Sequence, residues 1–159
     1  MPAPAAETES DALGKWIVSA ISESPEVQAA LADLTGAPGP LTAEQVTARI
    51  YQDVADQEAA YPLIVVDQAD ALDTVGAGGH SILQGIPAVV RIISQTPHGT
   101  VSALAGAISD AVAGLDTIAA LDGWQVGVYR EGSVRYTTTE QGRLYRHRAI
   151  RFRAEVSEV

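Results

Sequence analysis

The sequence predicts one α+β domain: a mainly antiparallel, or mixed, β-sheet packed by N-terminal helices and by an amphipathic helix over about residues 100–114, with an extended C-terminal β-hairpin. Three observations predict it. Residues 46–66 hold two β-type runs: Val46-Thr47-Ala48-Arg49-Ile50-Tyr51 alternates apolar with polar, and Tyr61-Pro62-Leu63-Ile64-Val65-Val66 is almost wholly apolar. Val101, Leu104, Ala105, Ile108, Val112 and Leu115 recur at helical spacing. From Trp124 onward, apolar residues return at every second position, as along a half-buried strand. A chain of 159 residues buries about 68–70% of its unfolded surface, so one core is expected.

Residues 1–9 read as a disordered arm, and 10–159 as the domain. Met1 to Ala6 is Pro/Ala-rich, with neither the basic start nor the apolar run of a signal peptide, and no membrane span is expected. Ser10 or Asp11 then caps a helix that turns Leu13, Trp16, Ile17, Ala20 and Ile21 to one face. Ser24-Pro25-Glu26 is a second start, with a cap, a proline at the first helical position and an acid in the first turn. Val27, Ala30, Leu31 and Leu34 form its apolar face, and Gly36 to Pro40 ends it. Thr42 to Gln45 adds a turn before the first strand.

The strands of residues 46–66 are separated by nine residues, Gln52 to Ala60. That is too few for a parallel crossover through a helix, so an antiparallel pair is expected. Pro62, lacking an N–H, belongs at a strand start or on an edge. Asp67 to Ser81, with Asp67, Asp70, Asp73 and a Gly-rich run, reads as a mobile loop. Ile82 to Ile93 is apolar at both parities and reads as a strand covered on both faces for part of its length. Thr100 is the expected cap of the amphipathic helix and Gly114 its left-handed end. The small residues on its other face leave room for a close neighbour.

The C-terminal region reads as one strand over Trp124 to Tyr129, a second over Val134 to Thr138 after Glu131-Gly132, a turn at Thr139 to Arg143, and a last strand from Leu144 to Val156. Ile150, Phe152, Ala154 and Val156 share one face. Arg146 and Arg148 have the same parity, and because a buried unpaired guanidinium is costly they are placed beyond the core's edge, in solvent or against a partner.

Charge divides the chain. Residues 1–122 carry sixteen acids against Lys15, Arg49 and Arg91, a net −13, whereas residues 123–159 carry seven Arg against four Glu, a net +3. Such a surface is ill-suited to wrapping a nucleic-acid backbone, whose binding needs Lys and Arg at phosphates. Separate acidic and basic regions suit head-to-tail contact between identical copies.

Little in the sequence supports catalysis. Zero Cys rules out disulfides, thiolate metal sites and cysteine nucleophiles. His80, His98 and His147 lie far apart and read as loop or surface residues. Asp67, Asp70 and Asp73 lack the ligand spacing of a calcium loop. Residues 75–81 lack the Lys-Ser/Thr ending of a phosphate loop. No catalytic residue, cofactor or metal is expected. Asp67, Asp70, Asp73, Arg130, Arg135, Arg143, Arg146 and Arg148 are the candidate contact residues, chosen for exposure and charge.

The order of a helical N-terminus, Arg49-Ile50-Tyr51, an acidic spacer, Tyr61-Pro62-Leu63-Ile64-Val65-Val66, a Gly-rich loop, a third strand, one amphipathic helix and a β region closing with Ile150-Arg151-Phe152 resembles the tail-completion, or tail-terminator, proteins of long-tailed bacteriophages. The resemblance covers about residues 42–156 and is carried by core and strand-start residues. It implies a non-enzymatic α+β virion subunit that forms a homo-oligomeric ring, hexameric in that family, on the head-proximal end of the tail tube. It implies the tail tube protein and a head–tail connector or stopper as partners, assembly in the host cytoplasm, and DNA passing through without specific binding. A connector or stopper is the first alternative; a small cellular enzyme or ligand-binding domain using the Gly-rich loop 75–81 is the second.

Overall fold

The computed structural model describes residues 9–52, 60–68, 72–75, 81–113, 119–121 and 124–158. The elements run α1 (Glu9–Ser22), α2 (Pro25–Thr35), α3 (Ala43–Thr47), β1 (Ile50–Gln52), β2 (Leu63–Gln68), β3 (Leu72–Val75), β4 (Ser81–Ser94), a 3-10 turn (His98–Val101), α4 (Ser102–Ala113), β5 (Ala119–Leu121), β6 (Trp124–Glu140) and β7 (Arg143–Glu158). The strands form one seven-stranded sheet in the order β1-β2-β4-β7-β6-β5, with β3 on β4 beside β2. The architecture is α+β, with mostly antiparallel pairing.

Sequence and structure agree closely in the helices. Ser24 caps α2 by accepting the Val27 N–H at 3.3 Å, Pro25 opens it, and Gly36 closes it at φ 72°, a left-handed conformation that suits glycine. α1 begins at Glu9, so Ser10 and Asp11 lie inside it rather than capping it. Thr100 sits within the 3-10 turn and donates its hydroxyl to the Pro97 carbonyl at 2.7 Å; it leads into α4 without capping it. Gly114 and the arm before Glu9 lie outside the described residues.

Helices cover one face of the sheet. Leu13, Ile17 and Ile21 of α1, Val27 and Leu31 of α2, Val46 of α3, and Leu104, Ile108 and Val112 of α4 join Ile64, Val66, Val90, Ile92, Ile150 and Phe152 in one buried cluster. Each large side chain so buried contributes roughly 1.5–3 kcal/mol, which is what holds α4 against α1, α2, β6 and β7. The opposite parity of β2, Leu63 and Val65, is buried too, as the apolar run implies. Pro62 immediately precedes β2.

Four strand-level expectations are corrected. Val46 belongs to α3, because Thr42 and Gln45 form a reciprocal capping box that starts a helix where alternation had implied a strand. β1 and β2 pair in parallel, Ile50 opposite Ile64. A strand of three residues spans only about 10 Å, a distance that the short stretch between Gln52 and Leu63 is long enough to retrace. Asp67–Ser81 is no single loop: β2 runs through Asp67, and Leu72–Val75 pairs antiparallel with β4. The Gly-rich residues 76–80 lie outside the described residues. Finally, β6 is one continuous strand, with Glu131 as the extra residue of a bulge between Arg130 and Gly132 where two separate strands were expected.

Candidate interaction surface

β6 and β7 form the longest pair in the fold and reach past their neighbours. β4 accompanies β7 only as far as Ser94 opposite Arg146, and β5 accompanies β6 only over Trp124–Val126. The pairs Thr138–Tyr145, Thr139–Leu144 and Glu140–Arg143 therefore project beyond β4. Gln141 (φ 50°) and Gly142 (φ 75°) close the hairpin. Two successive positive φ values give the turn a twist matching that of its strands, and glycine takes the second at no steric cost.

Strand parity separates the projecting hairpin into two chemistries. The side toward α4 carries Arg130, Ser133, Arg135, Arg146, Arg148 and, near the tip, Leu144, which is 44% exposed. Arg148 donates to the Ser102 hydroxyl at 2.9 Å, and Arg146 to the Gln95 carbonyl at 3.1 Å. Burial lowers the Arg148 pKa, and the guanidinium groups of Arg135 and Arg130 lower it further. Ser102, Ala105, Gly106 and Ser109 of α4 complete a cavity of about 160 Å³ with Arg130 and Arg148. The small residues of α4 thus admit the chain's own hairpin. Among the described residues, none of these four Arg makes an ion pair with a carboxylate.

The other side is more apolar and more ordered by side-chain contacts. Tyr129, Val134 and Tyr136 are exposed, at 53%, 40% and 38%. Tyr136 stacks on His147 at 4.5 Å and 7° between ring planes, and its hydroxyl accepts a bond from Arg91 at 3.2 Å. His147 Nε2 lies 2.7 Å from the Thr138 hydroxyl, while its Nδ1 has no partner among the described residues. Burial lowers the His147 pKa, as does the charge of Arg91. Tyr61 packs on Tyr145 at 5.3 Å, and burial together with the neighbouring tyrosine raises its pKa.

The candidate contact residues do not form one site. Arg130, Arg135, Arg146 and Arg148 share a face; Arg143 stands across from Glu140 at the tip on the other face. Asp67 ends near Arg91, 3.8 Å away. Asp73 lies in β3 opposite Gln84, and Asp70 lies outside the described residues. Arg146 and Arg148 are half-buried and fold back onto Gln95 and Ser102, instead of projecting freely. His147, read as a surface residue, is only 9% exposed; its parity with Ala149 on a strand flanked by β4 and β6 was the available signal. Across β6 and β7, Arg153 pairs with Glu131 at 2.7 Å.

No protein-family model matches the sequence, and no curated protein matches it. In structure it is similar to a chain in the virion of a native gene transfer agent (GTA) particle. That chain is 19% identical, the match covers 86% of this chain and 97% of the other, and the TM-score is 0.56. The two share a fold. No helix among the described residues is long and apolar enough to cross a membrane.

Proposed function

We propose that the protein is a structural, non-catalytic virion subunit, a tail terminator that forms a ring on the head-proximal end of the tail tube. In that role it ends tube polymerisation and offers the surface that joins tail to head. The observation that carries the reading is the fold shared over 97% of a chain in a GTA virion. The projecting hairpin supports it, since a face with four arginines and an exposed leucine is suited to contact with acidic protein. The excess of acids, 20 against 10 basic residues, favours a ring that DNA crosses without adhering.

Deleting the gene in a particle-producing host and measuring tail lengths by electron microscopy tests the role. A terminator's loss leaves tails of uncontrolled length and no joined heads. Tails of normal length beside unjoined heads identify a connector or stopper instead, and unaltered particles remove the virion reading.

A further inference from the structure

We propose that the hairpin of one copy seats its α4-side face in the groove between α1 and α3 of a second copy, with Leu144 entering the groove and the arginines meeting Glu23 and Glu44. The inference rests on the ring reading above and names the surfaces that would close the ring.

The two surfaces are complementary in chemistry. The groove, about 410 Å³, is lined by Lys15, Val18, Ser22, Glu23, Ala43, Glu44 and Thr47. A mostly apolar lining that includes two carboxylates and one lysine suits an apolar knob accompanied by cations. The hairpin presents that: Leu144 one rung from the turn, then Arg135, Arg146 and Arg148 on the same face. Arg148 lies near Arg130 and Arg135 with no carboxylate paired to it among the described residues; its pKa is lowered first by burial and then by those two guanidinium charges. Carboxylates from outside relieve that repulsion, and partial exclusion of water strengthens the attraction.

The two surfaces also stand at opposite edges of the sheet. α3 leads into β1, the outermost strand on one edge, whereas the free side of the hairpin is β6, near the other. Leu144, Arg146 and Arg148 lie on β7, three strand spacings or roughly 14 Å from β1, so a hairpin does not reach its own groove. A contact between two different patches is heterologous, and its repetition closes a ring when the rotation permits.

The absence of native cysteine makes a direct test available. A chain carrying both Leu144→Cys and Ala43→Cys is oxidised, alone and in the presence of cognate tail tubes, and run on a non-reducing gel. We expect a ladder of dimers and higher multimers, far stronger than for Asp110→Cys with Ala43→Cys, whose α4 position faces away from the groove contact. A ladder no stronger than this control, in both conditions, overturns the inference. A second test mixes a groove variant, Ala43→Trp with Thr47→Trp, which fills the groove without adding charge, and a hairpin variant, Arg135→Glu with Leu144→Asp. Each alone lacks one half of every contact, so the 1:1 mixture stops at dimers; multimers from either variant alone, or beyond dimers in the mixture, contradict the pairing. Tube capping by the unaltered protein is scored separately. Capping without the cross-link leaves the terminator role and removes this interface, and a cross-link without capping does the reverse.

Discussion

Acidification should destabilise the fold through His147. Its ring is 9% exposed, stacked on Tyr136 and bonded through Nε2 to Thr138, and among the described residues Nδ1 has no acceptor in place for a second proton. Burial is the first cause of its lowered pKa; the charges of Arg91 and His98 add to it and Glu140 opposes it. The folded pKa lies below the unfolded value of about 6.5, so on lowering the pH the unfolded chain takes the proton first. Stability is therefore present above about pH 6.5 and is lost as pH falls below it. One proton sets the ceiling: about 1.4 kcal/mol for each pH unit. Between about pH 6.5 and 5.5 the loss through this residue is thus at most about 1.4 kcal/mol. His147→Gln keeps a bonding partner for Thr138 and does not titrate. Urea unfolding of both proteins at about pH 7.5, 6.5 and 5.5 should show the wild type losing more than the variant across the lower interval. Equal losses would refute the assignment to His147.

Other expectations follow from the same structure. Phe152→Ala empties the largest fully buried side chain of the cluster and should cost about 3–5 kcal/mol in the same urea experiment. Ser24→Ala leaves the Val27 N–H without its side-chain acceptor and should cost about 1 kcal/mol. Charge reversal at Arg146 and Arg148 removes bonds to the Gln95 carbonyl and the Ser102 hydroxyl, each worth about 1 kcal/mol. The far-UV circular dichroism should therefore persist while assembly, read by light scattering, is lost; assembly that survives the reversal contradicts a contact role for this face.

Much of this fold is legible in the sequence where one residue type has one structural use. Ser24, Pro25 and Gly36 mark α2 at both ends, and Leu104, Ile108 and Val112 place α4 on the sheet. What is missed are features in which two readings share one pattern. Val46-Thr47-Ala48 alternates like a strand, yet the Thr42–Gln45 capping box decides for helix. Glu131-Gly132 has the composition of a turn, and only pairing with β7 makes it a bulge. Parallel pairing of β1 depends on its length of three residues, which alternation through Tyr51 overstated. Of the contact surface, the parity of Arg146 and Arg148 with Ile150 was readable, so their common face was foreseeable. Ser102 and Gln95 were not, because they meet the hairpin only through the packing of α4 and the end of β4.

The most direct measurement of the central claim is the mass of the purified protein by light scattering, alone and mixed with short tubes of the cognate tail protein. The terminator account predicts rings, or single chains that become ring caps on tube ends and halt growth. A protein that stays monomeric and leaves the tubes growing contradicts it.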